Sequence, residues 1–162
     1  MKTITYSDII RQNVDMPESS ERAKIVDITA EKQEKYWVSY GVIIETGFLD
    51  SKARFYPNRL LENVSHDTPI KLKSVKDKHE RRGNWLLSKI KGSKILTEDK
   101  KEVGRVYDFE IFIDRDPWII WKLLVNPLGI SPMRRRMRIG TKYIKEYKKG
   151  KLYLKSGWKR GD

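Results

Sequence analysis

A shift of 81 residues, half the length of this 162-residue chain, lays the sequence on itself. Self-similarity at a fixed period constrains a fold strongly, because each copy has to build the same unit. Under the shift, Tyr6-Ser7-Asp8-Ile9 lies on Leu87-Ser88-Lys89-Ile90, Val14 on Ile95 and Glu21 on Glu102. Ala23-Lys24-Ile25-Val26-Asp27-Ile28 lies on Gly104-Arg105-Val106-Tyr107-Asp108-Phe109, Trp37-Val38 on Trp118-Ile119, and Ile43-Ile44 on Leu124-Val125. No gap is needed from Tyr6 to Ile44. Identities are few, but the apolar positions agree almost throughout. Beyond Ile44 the register needs insertions, and Arg54–Leu72 matches Arg134–Leu154 only approximately. The expected organisation is a divergent first repeat over 1–75, a basic linker over 76–83, a second repeat over 84–156 and a tail over 157–162.

The repeated unit reads as β-structure. In the second copy, Gly92 and Thr97–Lys101 are turn signals. Val103, Tyr107, Phe109, Ile111 and Ile113 then give the alternation of a half-buried strand. Asp114-Arg115-Asp116-Pro117 supplies a hairpin turn. Trp118–Val125 is apolar on both faces, as a central strand is. Tyr143–Tyr147 and Leu152–Leu154 flank Lys148-Lys149-Gly150 and read as a last hairpin. The first copy repeats the pattern with Lys24–Ile28, a charged turn near Glu31–Lys35, Tyr36–Glu45, a break at Gly47, then Pro57 and Ile70–Leu72. Short antiparallel strands at this spacing predict an all-β chain made of two tandem small barrels related by a pseudo-two-fold repeat, an arrangement that also removes exposed sheet edges.

The residues that carry the repeat resemble a known family. Leu87-Ser88-Lys89-Ile90-Lys91-Gly92-Ser93-Lys94-Ile95, followed by Glu102-Val103-Gly104-Arg105-Val106-Tyr107-Asp108-Phe109, is similar to the opening of a PRC-barrel. That opening is a strand, a Gly, a short turn, then Gly-Lys/Arg-Val-x-Asp-hydrophobic. Trp118–Val125 and the downstream Ser131-Pro132 and Ile139-Gly140 fit the remainder, so the resemblance covers about residues 85–147. The first copy departs from it: Ala23 stands where Gly is usual, and Arg11 stands opposite Gly92. The resemblance implies a small barrel used for docking. PRC-barrels occur in the photosynthetic reaction-centre H subunit, in a ribosome-maturation factor that docks on the small subunit, and in small archaeal proteins, some of them adaptors of cell division. Fold alone does not fix function.

The composition excludes several chemistries. The chain has no cysteine, which removes disulfides, thiolate metal sites and a cysteine nucleophile. No apolar run approaches the roughly 20 residues of a membrane-spanning helix. Lys2, Asp8 and Arg11 interrupt the first residues, so no signal peptide is expected there, and a cytoplasmic protein is. Of the two histidines, His66 lies in Ser65-His66-Asp67, whose members are too close in sequence to converge as a catalytic triad. His79-Glu80 begins a zinc-protease motif, but Arg81-Arg82-Gly83 supplies no second His. Asp114 and Asp116 precede Pro117 and read as turn residues rather than cation ligands. Asp27 and Asp108 occupy equivalent strand positions and read as structural hydrogen-bond acceptors. Phosphate-cradling glycine motifs are absent. The expectation is a protein without enzymatic activity and without a cofactor or metal.

Charge is the strongest functional signal. The net charge of +13 is split unevenly: residues 1–81 carry +1 and residues 82–162 carry +12. Met133–Arg160 holds 12 basic residues and one acid, Glu146. Such asymmetry points to an anionic partner. Met133-Arg134-Arg135-Arg136-Met137-Arg138 exposes at least three arginines whether it is a helical turn or a strand. Arginine suits bidentate contact with carboxylate or phosphate. The candidate anion- or partner-binding residues are Arg134, Arg135, Arg136, Arg138, Lys142, Lys145, Lys148 and Lys149, with Trp158, Lys159 and Arg160 of the tail. Trp158 lies beyond the last repeat strand, where core packing does not obviously require it. Trp118 and Trp121 fall on opposite faces of one strand and are the hydrophobic docking candidates; one can be core while the other needs a cover. The leading expectation is an adaptor whose basic second repeat engages an acidic protein. RNA or ribosome binding is the alternative, since aromatics among cations hold single strands by stacking and phosphate contact. A peripheral anionic membrane contact is a third.

Overall fold

The computed structural model describes residues 2–17, 21–47, 49–65, 67–129 and 136–161. It is mostly strand. The first half contains β1 (Thr3–Thr5), α1 (Tyr6–Ile9), β2 (Val14–Asp15), β3 (Ala23–Lys32), β4 (Trp37–Ser39), β5 (Gly41–Thr46), β6 (Lys52–Pro57), a 3-10 turn (Asn58–Leu60), β7 (Leu61–Glu62) and β8 (Ile70–Leu72). The second contains β9 (Trp85–Leu86), α2 (Leu87–Ile90), β10 (Lys94–Leu96), β11 (Glu102–Phe112), β12 (Trp118–Pro127), β13 (Met137–Gly140), a 3-10 turn (Thr141–Tyr143), β14 (Ile144–Lys148) and β15 (Lys151–Leu154).

The two halves share ladder registers as well as element order. Ile25 pairs with Ile44, and 81 residues on Val106 pairs with Val125. Each long strand shifts register at an equivalent place, between Ile25 and Asp27 and between Val106 and Asp108. Such a bulge bends the strand and sharpens its twist, which curls the sheet. Parallel pairing of β2 with β8 recurs as β10 with β15. Of the alternating residues expected inside, Phe109 and Ile111 are buried but Val103, Tyr107 and Ile113 are only half-buried; the bulge after Val106 shifts the phase, so that Val106 is the buried residue before it. Arg11 and Gly92 occupy matching turns, and both take positive φ, 67° and 90°. The first half therefore holds an arginine in a backbone conformation that glycine adopts at least cost.

The linker does not separate two cores. Strand order runs β14-β15-β10-β11-β12-β4-β3-β5-β6 through one continuous curled sheet. At its centre, β4 meets β12 antiparallel, with Trp37 opposite Ile120, Val38 opposite Ile119 and Ser39 opposite Trp118. Shifted by 81 residues, this set of pairs maps onto itself, so a pseudo-two-fold axis passes between Val38 and Ile119. That is the self-complementary contact of a symmetric dimer, built into one chain.

The halves also exchange their first segments. β1 pairs with β11 of the second half, and β9 pairs with β3 of the first. The helical turn after each carries a serine to the other half's aspartate. Asp108 accepts the backbone N–H of Ser7 at 3.0 Å, the Ser7 hydroxyl, and its own neighbour Phe109 N–H at 2.8 Å. Asp27 accepts the N–H of Ser88 at 3.1 Å, the Ser88 hydroxyl, and the Ile28 N–H at 2.9 Å. Both aspartates are 7% exposed. Burying a carboxylate is costly unless hydrogen bonds replace its water, and each here has three. Tyr6 lies between them. Burial, and then the charges of Asp27 and Asp108, push its phenol well above the usual range.

Trp85 of the exchanged β9 stacks edge-on against Trp37 at 5.0 Å and Tyr147 at 5.7 Å, tying both halves to one segment. The hydrophobic core is accordingly one cluster, running from Ile4 and Ile25 to Phe109, Trp118 and Leu154. Ser7→Ala and Ser88→Ala should each lower stability by about 1–3 kcal/mol, the cost of leaving a buried carboxylate short of a partner. Chemical denaturation of the two variants checks this, and both should unfold the whole chain in one transition.

Candidate anion-facing surface

The outer face of β11, β12 and β13 gathers cations around aromatic rings. A second register shift, between Glu110 and Ile111, controls it. Glu110 pairs with Lys122 and Ile111 with Ile120, so Trp121 is the extra residue. Alternation breaks there: Ile120 and Leu123 are buried, while Trp121 and Lys122 between them both remain half-exposed. Trp121 stacks on Phe112 with centroids 4.7 Å apart and rings 24° from parallel. The Lys122 ammonium stands 5.0 Å from the Trp121 ring and the Arg138 guanidinium 5.6 Å from it. Arg136 lies over Tyr107 at 4.7 Å. Arg138 pairs across the ladder with Leu124, and Lys122 with Gly140, two residues before Lys142.

One acid answers these cations locally. Glu110 binds Arg138 at 2.5 Å, with the glutamate side chain 18% exposed and the arginine 54%. Lys122 is relieved by Glu110 only in part. Its pKa is lowered by partial burial, then by the charges of Arg138 and Lys142, with Glu110 acting the other way. The folded protein thus holds the Lys122 proton less tightly than the unfolded chain does. Its charge works against folding at neutral pH, and that penalty fades as pH climbs through the lowered value.

The sequence candidates divide into three groups. Arg136, Arg138 and Lys142 join this face. Lys145, Lys148 and Lys149 belong to a different place, the exposed β14 hairpin, where with Lys100, Glu98, Glu146 and Tyr153 they rim an open depression of about 380 Å³. Trp158 is not a free aromatic: it is half-buried and packed against the core, with its indole N–H enclosed and unpartnered. Arg160 reaches back to the Met137 sulfur at 3.4 Å, and Lys159 is exposed beside it in the tail. Arg134 and Arg135 lie outside the described residues, as do Ser131, Pro132, Met133 and His66.

The two docking tryptophans separate as strand geometry requires. Trp118 is 3% exposed and belongs to the core, so it is withdrawn as a docking residue. Trp121 is the outward member, covered by Phe112 and by cations of its own half rather than by the first repeat. Lys122 is the site residue that the sequence reading passed over. Tyr107 and Glu110 join it once the ladders are known.

The first half supplies an internal control. Ladder partners place Gly41 at the position of Lys122, Phe55 at that of Arg138 and Ile43 at that of Leu124. A Cβ added to Gly41 would sit 2.4 Å from the Phe55 ring. The same framework is therefore completed there by an aromatic laid on a glycine. Cations at these places are compatible with the fold but not demanded by it. No protein-family model matches the chain, and no curated protein matches it.

Replacing Lys122 with Met should leave thermal stability unchanged or raise it at pH 7, because an apolar stem on Trp121 is kept while a charge the fold disfavours on balance is removed. Differential scanning calorimetry at pH 7 and pH 10 checks the sign: the gain should shrink at the higher pH.

Proposed function

We propose that the chain is a non-enzymatic docking protein, built from two PRC-barrel-like units, that holds an acidic protein partner on the outer face of β11, β12 and β13. The observation that carries this reading is the contrast between halves. One framework bears Gly41 and Phe55 where the other bears Lys122 and Arg138. A structural requirement common to both units would have favoured similar residues at both places. The excess charge on one of them calls for a counter-charge from outside.

Protein is favoured over nucleic acid by how the rings are used. Sequence-tolerant binding of single strands needs open aromatic faces on which bases stack. Here Trp121 lies between Phe112 on one side and the Lys122 and Arg138 cations near its ring, and Tyr107 carries Arg136. The rings act as rigid platforms that hold cations outward, with Ile119 and Leu124 adding half-exposed apolar surface beside them. An interface of that kind combines apolar anchors with charge steering. The order and spacing of elements in the two halves, and the reciprocal serine–aspartate contacts at the same motif positions, support the PRC-barrel reading of the units.

Affinity capture from native cytoplasm tests the function, using the intact chain, a variant with Arg136, Arg138 and Lys142 all changed to Ala, and a first-half control with Lys24 and Lys52 changed to Ala. The expected result is one protein partner that survives nuclease, is retained by the control, and is lost at least about tenfold by the triple variant, as for removal of close interfacial charge pairs. Capture that disappears with nuclease and falls steeply with salt would assign the face to RNA instead.

A further inference from the structure

We propose that Lys122 and Arg138, which flank the Trp121 indole, and Lys142 of the 3-10 turn that follows β13 form a receptor for a doubly charged phosphoryl group carried by the partner protein. The inference rests on the docking reading above and narrows it to one ligand chemistry.

Geometry supplies the first argument. Two of the cations flank a single indole, at 5.0 Å and 5.6 Å from its centroid. The third follows Gly140, the ladder partner of Lys122, by two residues, and its charge bears on the Lys122 ammonium. The indole itself is fixed by its stack on Phe112. Lys122 and Arg138 project from paired strands, and Lys142 from the 3-10 turn after β13, its ammonium 5.1 Å from the Tyr143 ring, so the fold sets the backbone positions of all three. Preorganisation of this kind lowers the entropy cost of recognition.

Charge arithmetic supplies the second. Three cations and the single acid Glu110 leave a local excess of two positive charges. A phosphoserine or phosphothreonine carries about −1.5 to −2 at pH 7, which matches that excess. One carboxylate carries half as much and leaves a cation uncompensated. The number of acceptors points the same way. A carboxylate offers two oxygens, which one guanidinium fork can take up, whereas a phosphoryl group offers three, enough for the Arg138 fork and a lysine on the remaining oxygen. Glu110 sets the threshold. Because it already binds Arg138, an incoming anion has to outcompete an internal carboxylate, and a dianion does so more readily than another carboxylate. Arg136, over Tyr107, immediately precedes β13, two residues before Arg138, and can receive an acidic residue flanking the phosphate.

The full-length protein tests the idea, with the Trp121 indole N–H and the Lys122 side chain followed by NMR. The probes are two glutamate-rich heptapeptides that differ only at the centre, phosphoserine in one and serine in the other, and an oligouridylate. The phosphopeptide should bind saturably and at least about tenfold more tightly than its serine counterpart, a ratio in the range for charge-assisted phosphate contacts. The advantage should shrink below about pH 6 as the phosphate takes up a proton. It should be lost in Lys122→Met, which keeps the fold, and in Arg138→Ala. Equal affinity for the two peptides would overturn the phosphoryl inference and leave the docking reading standing. Shifts from neither peptide at this face would overturn both. Tighter binding of the oligouridylate, with the same residues shifting, would overturn both in favour of nucleic acid.

Discussion

Two buried carboxylates, each clasped by a serine from the other half of the chain, hold this molecule together. Asp27 and Asp108 sit just past a bulge in the longest strand of each half, and each is 7% exposed. Burial strips each of its water, and donors replace it. Its own half contributes the next backbone N–H; the exchanged helical turn contributes a serine N–H and hydroxyl. The ends of β1–α1 and β9–α2 are thereby fixed in place, and with them the tyrosine and tryptophan that pack between the halves. Hydrogen bonds to charge are worth roughly 1.5–3 kcal/mol each, a large share of a stability of about 5–15 kcal/mol. The pairing of β4 with β12 then closes the sheet across the same pseudo-axis.

This division of labour leaves the outer face free to vary. Positions that make the clasp keep the same residue in both halves: Ser7 and Ser88, Asp27 and Asp108. Positions on the outer face do not. Glycine and phenylalanine on one side become lysine and arginine on the other, and the ladder is undisturbed. A framework shared by both halves and tied by a few buried polar contacts can therefore carry different side chains on its two faces. The basic half carries its cations at some electrostatic cost, seen in the lowered pKa of Lys122.

Much of the fold was legible in the sequence because the repeat made each half a check on the other. Ile70–Leu72 is the strand expected there, and the long strands of both halves begin and end within a few residues of their expected bounds, apart from Lys24–Ile28, which extends to Lys32. Tyr36–Glu45 is broken at Tyr40 into β4 and β5, and β6 was missed because the small Ala53, which is exposed, gives Lys52-Ala53-Arg54-Phe55 only a weak apolar signal. The four-residue helices were missed because one turn is too short to display a 3.6-residue period. The crosswise serine–aspartate pairing could not be read at all. Ser7 with Asp27 and Ser7 with Asp108 are chemically identical choices, and only topology selects the second. In the site, Arg136, Arg138 and Lys142 stood out as charges. Lys122 was hidden inside the apolar run Trp118–Val125, and only the bulge at Trp121 turns both residues outward.

Native-state hydrogen exchange on the intact chain tests most directly whether the exchanged segments make the two halves one body. The amides of Ser7 and Ser88, and those of the β4 and β12 pairing, should exchange only through global opening, with equal free energies in the two halves. Exchange of Ser7, Ser88 and the first-half strands through an opening that leaves β11 and β12 protected would show two independent barrels, and would contradict the account.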